Sequence, residues 1–262
     1  MSEQVPASLG EVVTASEAIP DVTPARLLLG RAGTAYRTST QLQLRADHAF
    51  AKDALHASVS LDESPMSELR DRFDLFEVTT EASTHADYLA RPDLGRRLSS
   101  GTAEQLREQC PVGVDLQVVI GDGLSPLAVV SQVPALLGPL LEHASARGWS
   151  VGRPFLVRHC RVGVMNDIGD ALEAQNVVLL IGERPGLATA ESLSAYMGHR
   201  PRPGDTDAQR NLVSNIHSAG VTTDEAVRRI LGLVDSFMIQ GRSGFLVKES
   251  AQPTTLPGAS GR

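Results

Sequence analysis

The chain has 262 residues, of which 42% are hydrophobic and 21% charged, and its formal net charge is −7 with a pI near 5.5. This composition is typical of a globular protein with an ordinary core, and the acidic balance argues against nucleic-acid binding through bulk charge. The sequence shows no apolar run near the roughly 18 residues that cross a bilayer, and two cysteines are too few for a disulfide framework. We therefore expect a reduced, cytoplasmic protein with neither a membrane span nor a nucleic-acid partner.

The first predicted elements follow an N-terminal arm. Residues 1–24 are polar and acidic, and we interpret them as flexible. Residues 30–34, Gly-Arg-Ala-Gly-Thr, predict a turn, because neither a GxxxxGKS/T motif nor a strand–GxGxxG–helix context surrounds the two glycines. Residues 40–59 predict a helix whose apolar face carries Phe50 and the alanines at positions 46, 49, 54 and 57.

Two further helices have start signals. Ser64 and Pro65 predict one start, with Ser64 as the N-cap and Pro65 as the first helical residue. Thr102 and Gln105 have the spacing of a capping box and predict another.

We therefore expect residues 25–109 to form a mainly helical N-terminal domain. Residues 76–80 predict a brief strand within it. Three arginines between positions 91 and 97 are unusual in so acidic a chain, and they indicate a contact surface for an acidic partner or a neighbouring subunit.

Strands and helices alternate over residues 110–248. The predicted strands are 116–120, 154–158, 177–181, 192–197 and 245–247, with 162–164 as an extension or small edge; the predicted helices are 126–148 with a break at Pro134, 167–173, 206–217 and one opened by a capping box at Thr222. This alternation predicts an α/β fold, a Rossmann-like and mostly parallel sheet with helices on both faces. Residues 249–262 are rich in Pro, Gly, Ser and Thr and predict a disordered tail.

Polar residues follow three of these strands. Asp122, His159 and Glu183 come directly after apolar runs, and the carboxyl ends of parallel strands meet at one edge of a sheet, where ligands bind. An acid/base site is one hypothesis. The sequence has no GxSxG elbow, no HExxH pair and no cysteine cluster, so we assign neither a catalytic residue nor a metal ligand.

Seven short segments occur in an order that is hard to read as chance. They are GRAGT at 30–34, RADHA at 45–49, RPDLGRRL at 91–98, QVVIGDGLS at 117–125, GERPGL at 182–187, ESLS at 191–194 and SNIH at 214–217. Each is weak alone, but together they resemble the small (light) subunit of ethanolamine ammonia-lyase over about residues 25–248.

The resemblance implies a function. Enzymes of this family convert ethanolamine to acetaldehyde and ammonia by a radical mechanism that uses adenosylcobalamin. The large subunit is a TIM barrel that carries the chemistry, and the cofactor lies between the two subunits in a large hetero-oligomer. The resemblance therefore implies a cytoplasmic lyase subunit that is inactive alone. Localisation within a bacterial microcompartment stays open as an alternative.

The family's cobalamin contacts match three positions here, Val162, Glu183 and Leu212. Relatives have cysteine at the third position, so the leucine implies a van der Waals or backbone contact instead of thiol chemistry. Because the sequence has no DxHxxG motif, we expect the cofactor to keep its own base on cobalt. Two rival hypotheses stay open: a stand-alone α/β enzyme using Asp122, His159 and Glu183, and a scaffold that only stabilises a partner.

Overall fold

The computed structural model describes residues 31–185 and 189–249. The predicted N-terminal arm, and the predicted tail apart from residue 249, lie outside the described residues. The chain enters this structure through a small hairpin of β1 (Arg31–Ala32) and β2 (Ala35–Tyr36). Gly33 in its turn has a φ of 64°, a left-handed conformation that glycine adopts without steric cost, so the predicted turn is confirmed in its described part.

Helix α1 (Thr38–His56) confirms the predicted helix, but its predicted apolar face is not the one that packs against the rest of the protein. Ala46, Ala49 and Phe50 are exposed, and half-buried Leu44 and Leu55 turn towards the rest of the protein instead. The helix carries two apolar stripes, and helical periodicity alone does not say which of two stripes a tertiary contact will cover.

A six-stranded mixed sheet forms the centre of the molecule. Its strands are β3 (Phe76–Thr79), β4 (Gln117–Gly121), β5 (Phe155–Arg158), β6 (Asn176–Gly182), β7 (Leu193–His199) and β8 (Arg210–Ile216). They lie in the order β3-β5-β4-β6-β7-β8; the first four are parallel, and β7 and β8 add to β6 as antiparallel strands. The predicted α/β class and mostly parallel sheet are confirmed, and β3 joins the same sheet as the later strands.

Helices cover both faces of this sheet, as predicted. They are α2 (Met66–Phe73), α3 (His85–Ala90), α4 (Thr102–Gln109), α5 (Pro126–Ala146), α6 (Val164–Leu172) and α7 (Thr223–Gln240). Residues of α5 and α7 share one core with Ile120, Leu156 and Leu180. Residues of α4 and α6 share the other core with Val119 and Leu179. Alternate residues of the central strands β4, β5 and β6 therefore belong to opposite cores, as the strand period of two requires.

Helix α5 is continuous through Pro134, so the predicted break is wrong. Nine of its residues are buried against the sheet and its neighbours, and this packing offsets the backbone hydrogen bond that a proline cannot donate.

By length and composition alone α5 is apolar enough to cross a membrane. Its buried side chains belong to the core beside the sheet, so we interpret it as a core helix.

Helix starts differ from the predictions by one or two positions. Helix α2 begins at Met66 with Pro65 at the N-cap position, and no side chain caps it. Helix α4 begins at Thr102 itself, after a left-handed Gly101, so the predicted capping box is wrong there. At α7 the N-cap half of the predicted capping box is confirmed, because the Thr222 side chain accepts a hydrogen bond from the backbone N–H of Glu225.

The largest corrections concern the segments around β8 and α6. Residues 206–217 form a short 3-10 turn and then strand β8, not a helix. Residues 245–247 form no strand, although Val247 is buried. Residues 162–164 extend no strand; a turn there leads directly into α6, which begins earlier than predicted.

Candidate functional site

The three polar strand exits lie at one edge of the sheet, as the sequence predicted. Gly121 at the end of β4 pairs with Val157 of β5 and with Ile181 of β6, all in parallel register. Asp122, His159 and Glu183 therefore leave the sheet side by side. Their side chains then take separate directions.

Asp122 is buried and held by Arg158. The Nη1 of Arg158 donates to Asp122 Oδ2 at 3.2 Å, and its Nε lies 2.8 Å from Glu77 Oε1. Burial raises the pKa of the Asp122 carboxyl above its ordinary value, and the neighbouring Arg158 charge opposes that rise. His159, in a left-handed conformation with a φ of 49°, places Nδ1 3.1 Å from the carbonyl oxygen of Ala82.

In the described residues no hydrogen bond joins the side chains of Asp122, His159 and Glu183, so an acid/base triad is not assembled. Nor does a thiol replace it. Cys110 and Cys160 are free and buried, and burial raises the pKa of Cys110 to about 11 and that of Cys160 further still. Both thiols are protonated at neutral pH and are poor nucleophiles.

Glu183 makes a different set of contacts. Its Oε1 accepts a hydrogen bond from the Ser194 hydroxyl at 2.8 Å and a second from the backbone N–H of Asn215 at 2.7 Å. Its own backbone N–H donates to the carbonyl oxygen of Ser192 at 2.9 Å. Among the described residues, no donor reaches Oε2. The half-buried carboxylate therefore keeps one oxygen for an outside donor.

Val162 lies in the turn before α6 and lines a groove of about 670 Å³. Tyr196 of β7 lines the same groove, and both side chains pack half-buried against the core that α4 and α6 cover. Arg161 and Arg210 also line it, and each has a buried Nε without a hydrogen-bond partner within the described part of the chain.

Leu212 lies next to this groove on the edge strand. It pairs with Tyr196 across β7 and β8, and 41% of its surface is exposed although it is a large apolar residue. Asn215, which holds Glu183, follows three residues later on the same strand. Val162 shares the groove with Tyr196, Leu212 pairs with Tyr196, and Glu183 is hydrogen-bonded to Ser194 of β7 and Asn215 of β8. Glu183 and Leu212 are not part of the groove lining itself.

Tyr196, Ser194 and Arg210 were not among the predicted site residues. A signal for the first two was present, because Ser194 and Tyr196 alternate with Leu193, Ala195 and Met197, which belong to the opposite core. Period-two alternation places Ser194 and Tyr196 on the groove side. Arg210 belonged to a segment that was predicted as a helix, so its place on strand β8 beside the groove was not predicted.

The fold and the site define a class: an α/β protein with a Rossmann-like mixed sheet and a groove lined by Val162, Tyr196, Arg161 and Arg210. The family model "Ethanolamine ammonia-lyase light chain (EutC)" matches residues 14–248. The chain belongs to this family, and the resemblance inferred from its short motifs is confirmed.

Curated relatives agree with this assignment. Ethanolamine ammonia-lyase small subunits from Clostridium acetobutylicum and Pseudomonas fluorescens strain SBW25 are 40% identical over 223 residues and 42% identical over 241. These matches cover 85% of this chain and 90% of the first relative, and 90% of this chain and 86% of the second. The small subunit of Rhodopseudomonas palustris strain BisA53 is 42% identical over 232 residues, 88% of each chain. The chain is thus a subunit of a lyase, a description that implies a large-subunit partner.

Proposed function

We propose that this chain is the small subunit of an adenosylcobalamin-dependent ethanolamine ammonia-lyase and helps to hold the cofactor at the interface with the large subunit. The observation that carries the proposal is the set of contacts at β7 and β8: Leu212 is exposed on β8, Val162 lines the groove beside Tyr196, and no donor among the described residues reaches Oε2 of Glu183. The large subunit, expected to be a TIM barrel, covers the other side of the cofactor in a hetero-oligomer of paired subunits.

The side chains of Val162, Glu183 and Leu212 have the chemistry that a cobalamin requires. A corrin is a broad, largely apolar ring fringed by amides, and its nucleotide arm carries a phosphate. Exposed Leu212 and half-buried Val162 offer apolar contact, while Glu183 Oε2 accepts from an amide N–H. Arg161 and Arg210 line the groove and carry guanidinium donors for amide carbonyl or phosphate oxygens.

The chain's own residues bind and orient; none of them is assigned a bond-making role. When bound, the cofactor supplies the radical chemistry that converts ethanolamine to acetaldehyde and ammonia, next to a substrate pocket in the large subunit. Glu183 would accept a hydrogen bond from an amide of the cofactor, and the exposed side chain of Leu212 would offer it apolar contact. We place the assembly in the cytoplasm, with enclosure in a bacterial microcompartment as the alternative address.

Reconstitution tests the function. The isolated chain should release no acetaldehyde from ethanolamine. Adding it to the purified large subunit with adenosylcobalamin should raise turnover far above that of the large subunit alone, as measured by a coupled aldehyde assay. Activity of the isolated chain would favour the stand-alone enzyme, and no gain on mixing would overturn the proposal.

Replacing the carboxylate tests the cofactor contact. We expect Glu183→Ala to weaken cobalamin binding to the reconstituted complex by about 1–3 kcal/mol, roughly 5- to 150-fold, because hydrogen bonds to a charged group are lost. The dissociation constant is measured by absorbance titration. Glu108→Ala, at an exposed position on α4, is the control and should leave it unchanged. Equal affinity of Glu183→Ala and wild type would favour the scaffold hypothesis.

A further inference from the structure

Strand β8 carries one extra residue opposite β7. Leu193 pairs with Ile216 and Ala195 pairs with Val213, so two steps along β7 match three steps along β8. This is a β-bulge at residues 214–215. Within it Asn215 has a φ of 62°, the left-handed region that few residues other than glycine adopt. Its backbone N–H consequently donates to Glu183 Oε1 at 2.7 Å.

Hydrogen bonds from the segment after β8 hold Asn215 in this conformation. The carbonyl oxygen of Asn215 accepts from the backbone N–H of Val221 at 2.8 Å. Its side-chain Oδ1 lies 2.7 Å from Nε2 of His217. The Nδ1 of that imidazole accepts the backbone N–H of Ala219 at 3.3 Å, so Nε2 carries the proton and donates to Asn215.

The packing around His217 leaves little room for another arrangement. His217 is only 7% exposed. Gly220 lies against the same turn, and a Cβ on it would be 2.3 Å from the carbonyl oxygen of Asn215 and 2.8 Å from His217 Nε2. The segment from Asn215 to Val221 therefore closes tightly on itself, and the imidazole and the left-handed residue fix each other.

The bulge determines how the Glu183 carboxylate is oriented. The N–H of Asn215 and the hydroxyl of Ser194 approach the same oxygen of Glu183, from two different strands. Two donors on Oε1 fix the rotation of the carboxylate, and among the described residues no donor reaches Oε2. A bulge beside a functional site commonly redirects a group in this way.

We propose that the β8 bulge, with Asn215 held by His217, is a positioning device that fixes the Glu183 carboxylate so that Oε2 faces cobalamin. This inference rests on the proposed function, because it takes Glu183 as a cofactor contact. Asn215, His217 and Ser194 act through Glu183 and are positioning residues. The Ser-Asn-Ile-His motif thereby has a physical role in cofactor binding.

A double-mutant cycle tests the device in the complex reconstituted with the large subunit. Asn215→Val places a β-branched residue where a left-handed backbone is needed, and it should weaken cobalamin binding roughly 3- to 100-fold, the range typical of coupled neighbours. Asn215→Gly retains the left-handed conformation and the N–H but loses the hydrogen bond to His217, so it should weaken binding less than Asn215→Val does. In a Glu183→Ala background Asn215→Val should cause no further loss of affinity, because the group that it positions is gone.

The readout is the dissociation constant of adenosylcobalamin from absorbance titration, independent of turnover. Ser194→Ala removes only a hydroxyl donor and is a milder change. Combined with Glu183→Ala in the same double-mutant cycle, it tests the inference if Asn215→Val does not fold. Equal losses with and without Glu183 would show a general structural role and overturn the inference. So would wild-type affinity of both Asn215→Val and Ser194→Ala while Glu183→Ala binds weakly. If Glu183→Ala itself binds like wild type, the proposed cofactor contact fails and this inference fails with it.

Discussion

Replacing Arg158 by methionine is expected to lower the free energy of unfolding by about 3–5 kcal/mol at neutral pH, the usual cost of breaking a buried ion pair from one side. The Arg158 side chain is 22% exposed, and its partner Asp122 only 4%. The guanidinium joins Asp122, Glu77 and the carbonyl oxygen of Val59, so three elements lose a common partner. Methionine fills much of the volume but leaves the Asp122 carboxylate buried without a counter-charge.

The loss should depend on pH in a defined direction. Burial already raises the pKa of Asp122 in the folded protein, and removing Arg158 raises it further. A folded-state pKa above the unfolded value means that the native protein binds the proton more tightly. The variant is therefore least impaired near pH 4, around the unfolded pKa, and loses stability as pH rises through the folded pKa.

Urea denaturation of Arg158→Met and wild type at about pH 4.5 and pH 7.5 measures this difference. Arg72→Met is the control, because Arg72 forms an ion pair with Glu142 in which both side chains are more than half exposed, and it should cost less than about 1 kcal/mol. Adding Asp122→Asn to Arg158→Met should recover part of the stability at the higher pH. A loss that is the same at both pH values would contradict the assigned cause.

The sheet was predictable from sequence where its strands are buried on both faces. Residues 177–181 form a continuous apolar run, and such a run has few readings other than a central parallel strand. The edge was not predictable in the same way. Leu212, Val213 and Ile216 fit a helical spacing, but Val213 and Ile216 are buried while Leu212 is exposed, because pairing with β7 and the bulge decide which side each residue faces. Tertiary pairing overrides a local pattern of this kind.

Part of the candidate site was likewise predictable from the sequence, and part of it was not. The convergence of Asp122, His159 and Glu183 on one edge follows from parallel strands and was predicted. Where each side chain turns was not, because Arg158 and the Ser194 hydroxyl reach these carboxylates from other strands. The positions of Val162 and Leu212 as cofactor contacts came only from the family resemblance. No hydropathy pattern distinguishes an apolar residue that meets a ligand from one that meets a core.

The second large effect concerns Gly182, the last residue of β6, for which we expect alanine to lower the free energy of unfolding by at least about 3 kcal/mol. A Cβ at this position would lie 2.0 Å from the backbone carbonyl oxygen of Ser125, and backbone cannot move aside as a flexible side chain does. Ser125 is the N-cap of α5, and its hydroxyl accepts a hydrogen bond from the backbone N–H of Ala128. Strand β6 and helix α5 would therefore have to separate where both carry core contacts.

Gly232→Ala supplies the matched comparison for this substitution. Gly232 lies on the exposed side of α7, and a Cβ there would meet no atom within 4 Å. Alanine at that helical position should stabilise the protein by about 0.5–1 kcal/mol, since it restricts the unfolded chain and favours the helix. Chemical denaturation measures the free energy of unfolding of both variants. It thereby distinguishes the steric cost of a Cβ at residue 182 from the gain that comes from restricting the unfolded backbone at residue 232. If both alanines stabilise alike, the close approach of β6 to the start of α5 does not hold in solution, and the conformation of the Glu183 exit must then be different.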